Sequence, residues 1–172
     1  MSPEAAQSEI AITDLNPDFK YEIAEIPGGE NIRYCFTCGT CTASCPIREV
    51  NDKFNPRKII RMIILGMKEK VLKNDFIWLC TGCYSCQERC PQDVKITDLM
   101  NALKNYAVSH GVVHPGVAAQ AAPIYDDGRI YAIEDFDNKK REKMGLPRVK
   151  PKTEEASKIF KATGLDKLIK KG

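Results

Sequence analysis

Two cysteine runs constrain this chain more than anything else in it. Residues 35–46 read CFTCGTCTASCP and residues 80–91 read CTGCYSCQERCP. Each is C-x2-C-x2-C-x3-C-P, and together they use all eight cysteines of the 172-residue chain. Iron in a cubane cluster favours soft thiolate ligands, and the two-residue gaps let three sulfurs converge on three corners of one cube. The three-residue gap turns the fourth sulfur toward a second cluster. The spacing therefore predicts two [4Fe-4S] clusters with exchanged ligands. Cys35, Cys38, Cys41 and Cys90 are expected around one, and Cys80, Cys83, Cys86 and Cys45 around the other.

Competing uses of the thiols fit less well. Structural zinc would pair one C-x2-C with another and leave the third cysteine and the Cys-Pro of each run unexplained. A disulfide framework belongs to oxidising compartments. The N-terminal MSPEAAQSEIAITD has acidic residues and no continuous apolar core, so it does not read as a secretory signal. The longest apolar run, Met62 to Met67, falls far short of the roughly 20 residues that span a bilayer. The expectation is a cytoplasmic protein without a membrane segment. The formal charge of +3 is too small to argue for nucleic acid. Two thiolate-held clusters at about −2 each bring it to about −1.

The runs sit inside an internal repeat of cysteine run followed by helix. Asn16 and Pro17 predict a helix start, with Phe19, Ile23 and Ile26 on one face and Pro27, Gly28 and Gly29 as its stop. Asn55-Pro56 predicts a helix to about Leu72, with Ile59, Ile60, Ile63, Ile64, Met67 and Val71 as its apolar stripe. Asp75 to Leu79 predicts a helical turn that delivers Cys80. Thr97 is the expected cap of a last repeat helix whose stripe is Leu99, Leu103, Tyr106 and Ala107, closed by Gly111. This gives an arm with a short helix over 1–30, a two-cluster α-helical domain over 31–111 and an extended partner-binding segment over 112–172. In that last segment only Thr153 to Thr163 reads as a capped helix, closed by Gly164, and Ile130, Tyr131, Ile133 and Phe136 are too apolar for a solvated tail. The fold class is mainly α, an α-helical ferredoxin with N- and C-terminal arms.

No catalytic constellation accompanies the clusters. The chain has no G-x-G-x-x-G, no P-loop and no spare cysteine for a nucleophile. His110 and His114 spell HGVVH, which lacks the glutamate of a zinc-protease helix, and His110 suits a helix C-terminus. Tyr34 and Trp78, just ahead of each run, read as shields against water. Gly39 and Gly82 allow backbone to approach a cluster closely.

The paired runs, the NPRKIIRMIILGMKEK and KITDLMNALKNYAVSHG helices, the GLPR stretch at Gly145 to Arg148 and the late helix near Ile159 resemble the C subunit of cytosolic heterodisulfide reductase. The resemblance implies a non-catalytic electron-transfer subunit of an oxidoreductase complex. Electrons would pass from a flavin-containing A subunit, the site of flavin-based electron bifurcation, to a CCG-type iron-sulfur B subunit. The B subunit would reduce the CoM-S-S-CoB heterodisulfide in methanogenesis, with a hydrogenase or formate dehydrogenase in the larger complex. Related complexes of sulfur and sulfate metabolism carry similar subunits, and the cysteine motif alone also suits a free-standing dicluster ferredoxin.

Overall fold

The computed structural model describes residues 10–150 and 154–169. Among the described residues every regular element is helical, which places the chain in the α class. It divides into two compact units, Met1–Val112 and Val113–Gly172.

The first unit is built on α1 (Phe19–Ala24), α2 (Thr40–Ala43), α3 (Pro46–Val50), α4 (Pro56–Ile64), α5 (Lys68–Leu72), α6 (Ser85–Glu88) and α7 (Ile96–Ser109). A 3-10 turn over Asp75–Leu79 leads into Cys80. Helix α1 starts two residues later than Asn16-Pro17 predicts. The Asn16 side chain accepts from the Asp18 amide and donates to Glu22, so it shapes the approach to the helix and Asp18 is the residue that precedes it. Phe19 and Ile23 are fully buried, as their spacing requires.

The helix expected from Asn55 to Leu72 is two helices. Its start is as predicted: Asn55 accepts from the Lys58 amide and Pro56 takes the first position. At Gly66 the backbone turns to φ 76°, and the Gly66 carbonyl accepts from the amides of Asn16 and Lys68. The apolar stripe survives the break, because Ile59, Ile60, Ile63 and Val71 all enter the core. Thr97 likewise is not a cap but lies inside α7; the residue that precedes the helix, Lys95, is left-handed with φ 57°. The capping work passes to Gln87, whose Oε1 accepts from the amides of Thr97 and Asp98.

One polar cluster ties three helices of this core. Glu22 of α1 accepts from Lys68 of α5 at 2.8 Å and from the phenol of Tyr106 of α7. The Tyr106 ring also lies 5.1 Å from the Lys68 ammonium and stacks on His110 at 4.1 Å. These contacts, the Lys68 hydrogen bond first, hold the Glu22 carboxyl at about 2, below its ordinary 4.5.

The second unit corrects the expectation of an extended tail. It contains α8 (Pro115–Asp127), α9 (Asp135–Lys143), α10 (Glu154–Thr163) and α11 (Asp166–Ile169). Helix α8 is legible at its ends, with His114 accepting from the Gly116 amide, Pro115 at the first position and Gly128 left-handed after the last. Its interior hides it, since alanines and Pro123 give little apolar period. Helix α9 has a reciprocal capping box between Glu134 and Asp137. The GLPR stretch folds back on α9: Asn138 exchanges hydrogen bonds with the Val149 backbone, and Arg148 pairs with Glu142 and Asp135. Helices α8, α10 and α11 pack together, with Tyr125 and Phe160 rings 5.7 Å apart. The cap expected at Thr153 lies outside the described residues.

No apolar residue of this unit is buried among the described residues, and Ile130, Tyr131 and Phe136 are 71%, 69% and 71% exposed. Ile133 is half-buried. No described helix is long and apolar enough to cross a membrane.

Two predictions test the first unit. A Cβ at Gly66 would lie 2.3 Å from the Asn16 carbonyl oxygen on a backbone that already has positive φ. Gly66→Ala is therefore expected to cost about 2 kcal/mol or more in denaturant unfolding. Because the folded pKa of Glu22 lies below its unfolded value, its stabilisation is complete above about pH 4.5 and drains away as pH falls toward 2. Solvent reaches a third of this side chain and discounts the gain. Glu22→Gln should lower stability at pH 7 by about 1–2 kcal/mol, read from the unfolding midpoint.

Candidate metal centres

The two cysteine runs fold into the same backbone. In each, the residues on either side of the middle cysteine have positive φ: Thr37 (60°) and Gly39 (92°) flank Cys38, while Gly82 (68°) and Tyr84 (63°) flank Cys83. Glycine takes the later of the two positions in the first run and the earlier in the second, leaving Thr37 and Tyr84 to adopt a conformation that side chains disfavour. Left-handed residues on both sides of a cysteine turn backbone amides into a concave loop suited to an anionic group. Helices α2 and α6 follow at once. The amides of Thr42 and Ala43 bond the Gly39 carbonyl, and those of Gln87 and Glu88 bond the Tyr84 carbonyl. The two short helices pack on each other.

The residue after the third cysteine of each run ties that run to the following long helix. Thr42 donates to Asn55 at 2.9 Å and accepts from the Arg57 amide at 3.1 Å, at the head of α4. Gln87 donates to Asp98 at 3.0 Å in addition to its contacts with the first amides of α7. Residue type does not single these two out. The repeat alignment does pair them, as it pairs Thr37 with Gly82 and Tyr84 with Gly39.

This framework surrounds two cavities. One is lined by Cys35, Cys38 and Cys41 from the first run and by Cys90 from the second. The other is lined by Cys80, Cys83 and Cys86 from the second run and by Cys45 from the first. Ile96 lies on the wall of both. Among the described residues no three donors converge as a single metal ion requires; the sulfurs stand around volumes instead. Four soft donors around a cavity suit a cubane cluster.

The environments of the second and third sulfurs of each run match, while the fourth differ, Cys45 being buried and Cys90 half-buried. Cys41 and Cys86 are buried, and Cys38 and Cys83 are exposed. Burial pushes the Cys41 thiol up to about 11 and raises those of Cys86 and Cys35. Hydrogen bonds from Thr40 lower Cys38, and those from the Ser85 backbone and hydroxyl lower Cys83. Binding iron requires thiolates throughout, so loading displaces protons; the exposed Cys38 and Cys83 give theirs up most easily, and the buried Cys41 and Cys86 dominate the cost. Cys90 accepts from the Val94 amide at 3.4 Å, and Lys104 of α7 donates to the Cys80 carbonyl at 2.9 Å.

Of the other residues singled out by sequence, His110 bonds the Tyr106 carbonyl at the end of α7, consistent with a C-terminal contact. Trp78 packs against the core, whereas Tyr34 is exposed.

Comparison with known proteins carries the same chemistry. Residues 31–94 match the family model described as a 4Fe-4S dicluster domain. The C subunit of the H(2):CoB-CoM heterodisulfide,ferredoxin reductase of Methanothermobacter thermautotrophicus is 37% identical over 163 residues, spanning 91% of this chain and 87% of that protein. The iron-sulfur C subunit of the CoB--CoM heterodisulfide reductase of Methanopyrus kandleri is 36% identical over 180 residues, spanning 96% and 93%. The C subunit of the Ferredoxin:CoB-CoM heterodisulfide reductase of Methanosarcina mazei is 37% identical over 137 residues, spanning 78% and 84%. With two [4Fe-4S] clusters in an α-helical domain and a role in electron transfer, this chain belongs to the family of heterodisulfide reductase C subunits.

Proposed function

We propose that this chain is the non-catalytic relay subunit of a cytosolic CoB--CoM heterodisulfide reductase complex. It carries electrons from a flavin-containing A subunit to a CCG-type iron-sulfur B subunit, which reduces the CoM-S-S-CoB heterodisulfide of methanogenesis. A hydrogenase or formate dehydrogenase stands upstream in the larger complex. The observation that carries the reading is the pair of cavities, each bordered by three cysteines of one run and the fourth of the other, in a chain whose relatives are named as this subunit along most of their length.

Cys35, Cys38, Cys41 and Cys90 hold one cluster, and Cys80, Cys83, Cys86 and Cys45 hold the other. Each cluster, when bound, accepts and returns single electrons within a range of potential that the protein sets. The residues of the chain supply the rest. Buried Cys41 and Cys86 and the shared Ile96 keep water from the space between the sites. Exposed Cys38 and Cys83 give each site one corner near the surface, through which a docked partner can exchange electrons. Four cysteine ligands per cluster leave no iron open to a substrate, so the bond chemistry belongs to a partner.

The segment from 113 onward supports attachment to a complex. Its Ile130, Tyr131 and Phe136 are exposed and would be covered by a partner protein. Helix α9 carries Asp135 and Asp137 in its first turn and Lys140, Arg141 and Lys143 in its last, a polar frame suited to the rim of an interface.

Two experiments test the proposal. Cys45→Ser should remove or weaken the cluster held mainly by the second run, measured as iron content and cluster signal; loss confined to the first-run cluster would refute the ligand exchange. Affinity isolation of the tagged chain from its native cells should bring down a flavoprotein and a CCG-type iron-sulfur protein together. Recovery of the chain with neither would oppose the relay reading.

A further inference from the structure

The second position of the long helix that follows each cysteine run, α4 or α7, presents different chemistry to the two cavities. In the first half it is Arg57 of α4, exposed to solvent beside the cavity of Cys35, Cys38 and Cys41. In the second half it is Thr97 of α7, which is 1% exposed and lines the cavity of Cys80, Cys83 and Cys86. The Thr97 hydroxyl lies 3.7 Å from the Cys86 sulfur. A cysteine bound to iron as a thiolate has no proton to give, so in the loaded protein the hydroxyl is the donor.

In the first half the matching contact is longer, and its hydroxyl proton is directed elsewhere. The hydroxyl nearest Cys41 is that of Thr42, at 4.0 Å, but its one proton goes to Asn55 and its lone pair receives the Arg57 amide. The third cysteines of the two runs, matched in the repeat and both buried, therefore differ: Cys86 has a hydroxyl at 3.7 Å as donor, whereas the hydroxyl 4.0 Å from Cys41 gives its proton to Asn55. The donor is also held in place. Gln87, the residue next to Cys86, accepts from the Thr97 amide at 3.2 Å, which fixes the start of α7 against the ligand loop.

We propose that Thr97 is a positioning residue that sets the potential of the cluster held by Cys80, Cys83, Cys86 and Cys45, by donating a hydrogen bond to the Cys86 sulfur. This rests on the ligand assignment proposed above. When the cluster takes up one electron, negative charge on its sulfurs grows and a hydrogen bond to them strengthens, which favours the reduced state and raises the potential. No bond is broken and Thr97 keeps its proton; the electron is the only thing transferred. In a site shielded from water, a lost donor is not replaced by solvent.

The test is a potentiometric titration, followed by electron paramagnetic resonance, of the full chain loaded with both clusters. Thr97→Val keeps the shape and removes the hydroxyl, and Thr97→Ser restores it. The valine variant should lower the potential of one cluster and leave the other in place, and serine should return it toward wild type. The inference is overturned if valine, at full iron content, moves neither potential or lowers both equally, or if serine behaves as valine does. Should valine prevent loading, the alanine and serine variants make the same comparison, with alanine expected low. Iron analysis separates the two levels of argument: a wild-type chain that cannot hold two clusters overturns the ligand assignment and this inference with it, whereas full loading with unmoved potentials overturns the role of Thr97 alone.

Discussion

Each cavity of the first unit borrows a wall from the other half of the chain. Cys90 stands at the cavity of the first run and Cys45 at that of the second, and most of the architecture follows from keeping them there. The chain leaves each run through a Cys-Pro, which ends the local turn, and must come back close enough for α2 and α6 to pack. Helices α4, α5 and α7 supply the apolar mass that closes the return. The unit is small, and with limited apolar area of its own its thiol-lined cavities are part of what a folded state has to satisfy. Helix packing and metal binding are then one problem rather than two.

Near-symmetry at the level of backbone coexists with asymmetry of side chains. Both runs use positive φ around the middle cysteine, but the glycine falls on opposite sides of it, so Thr37 and Tyr84 bear the strain that the other run avoids. Both runs are pinned to the next helix by the residue after their buried cysteine, but one pin is a threonine hydroxyl and the other a glutamine amide. Duplication accounts for a shared frame. Distinct potentials at two otherwise similar sites require differences of this second kind.

What can be read from the residues divides along physical lines. The cysteine spacing carries its geometry openly, because few chemistries need sulfur at those intervals. The apolar stripe at Ile59, Ile60 and Ile63 is equally plain, since burial imposes its period directly. The break at Gly66 is not, because it depends on a contact with Asn16, far away along the chain. Thr97 has the residue type of a cap, and only the fold shows that Gln87 satisfies those amides and leaves the threonine hydroxyl for Cys86. The second unit is hard to read for a related reason. Its helices are stabilised by capping, by Asn138 and by Arg148 more than by buried apolar side chains, and hydrophobic period does not register such segments.

Ile96 touches both cavities. A partition between two redox centres can be a layer of backbone with its amides and dipoles, or it can be a side chain. Here one buried aliphatic group, at the first position of α7, belongs to both walls. An aliphatic side chain carries no charge and offers no proton to either side. Because that one side chain belongs to both walls, a change in its size would reshape both cavities at once.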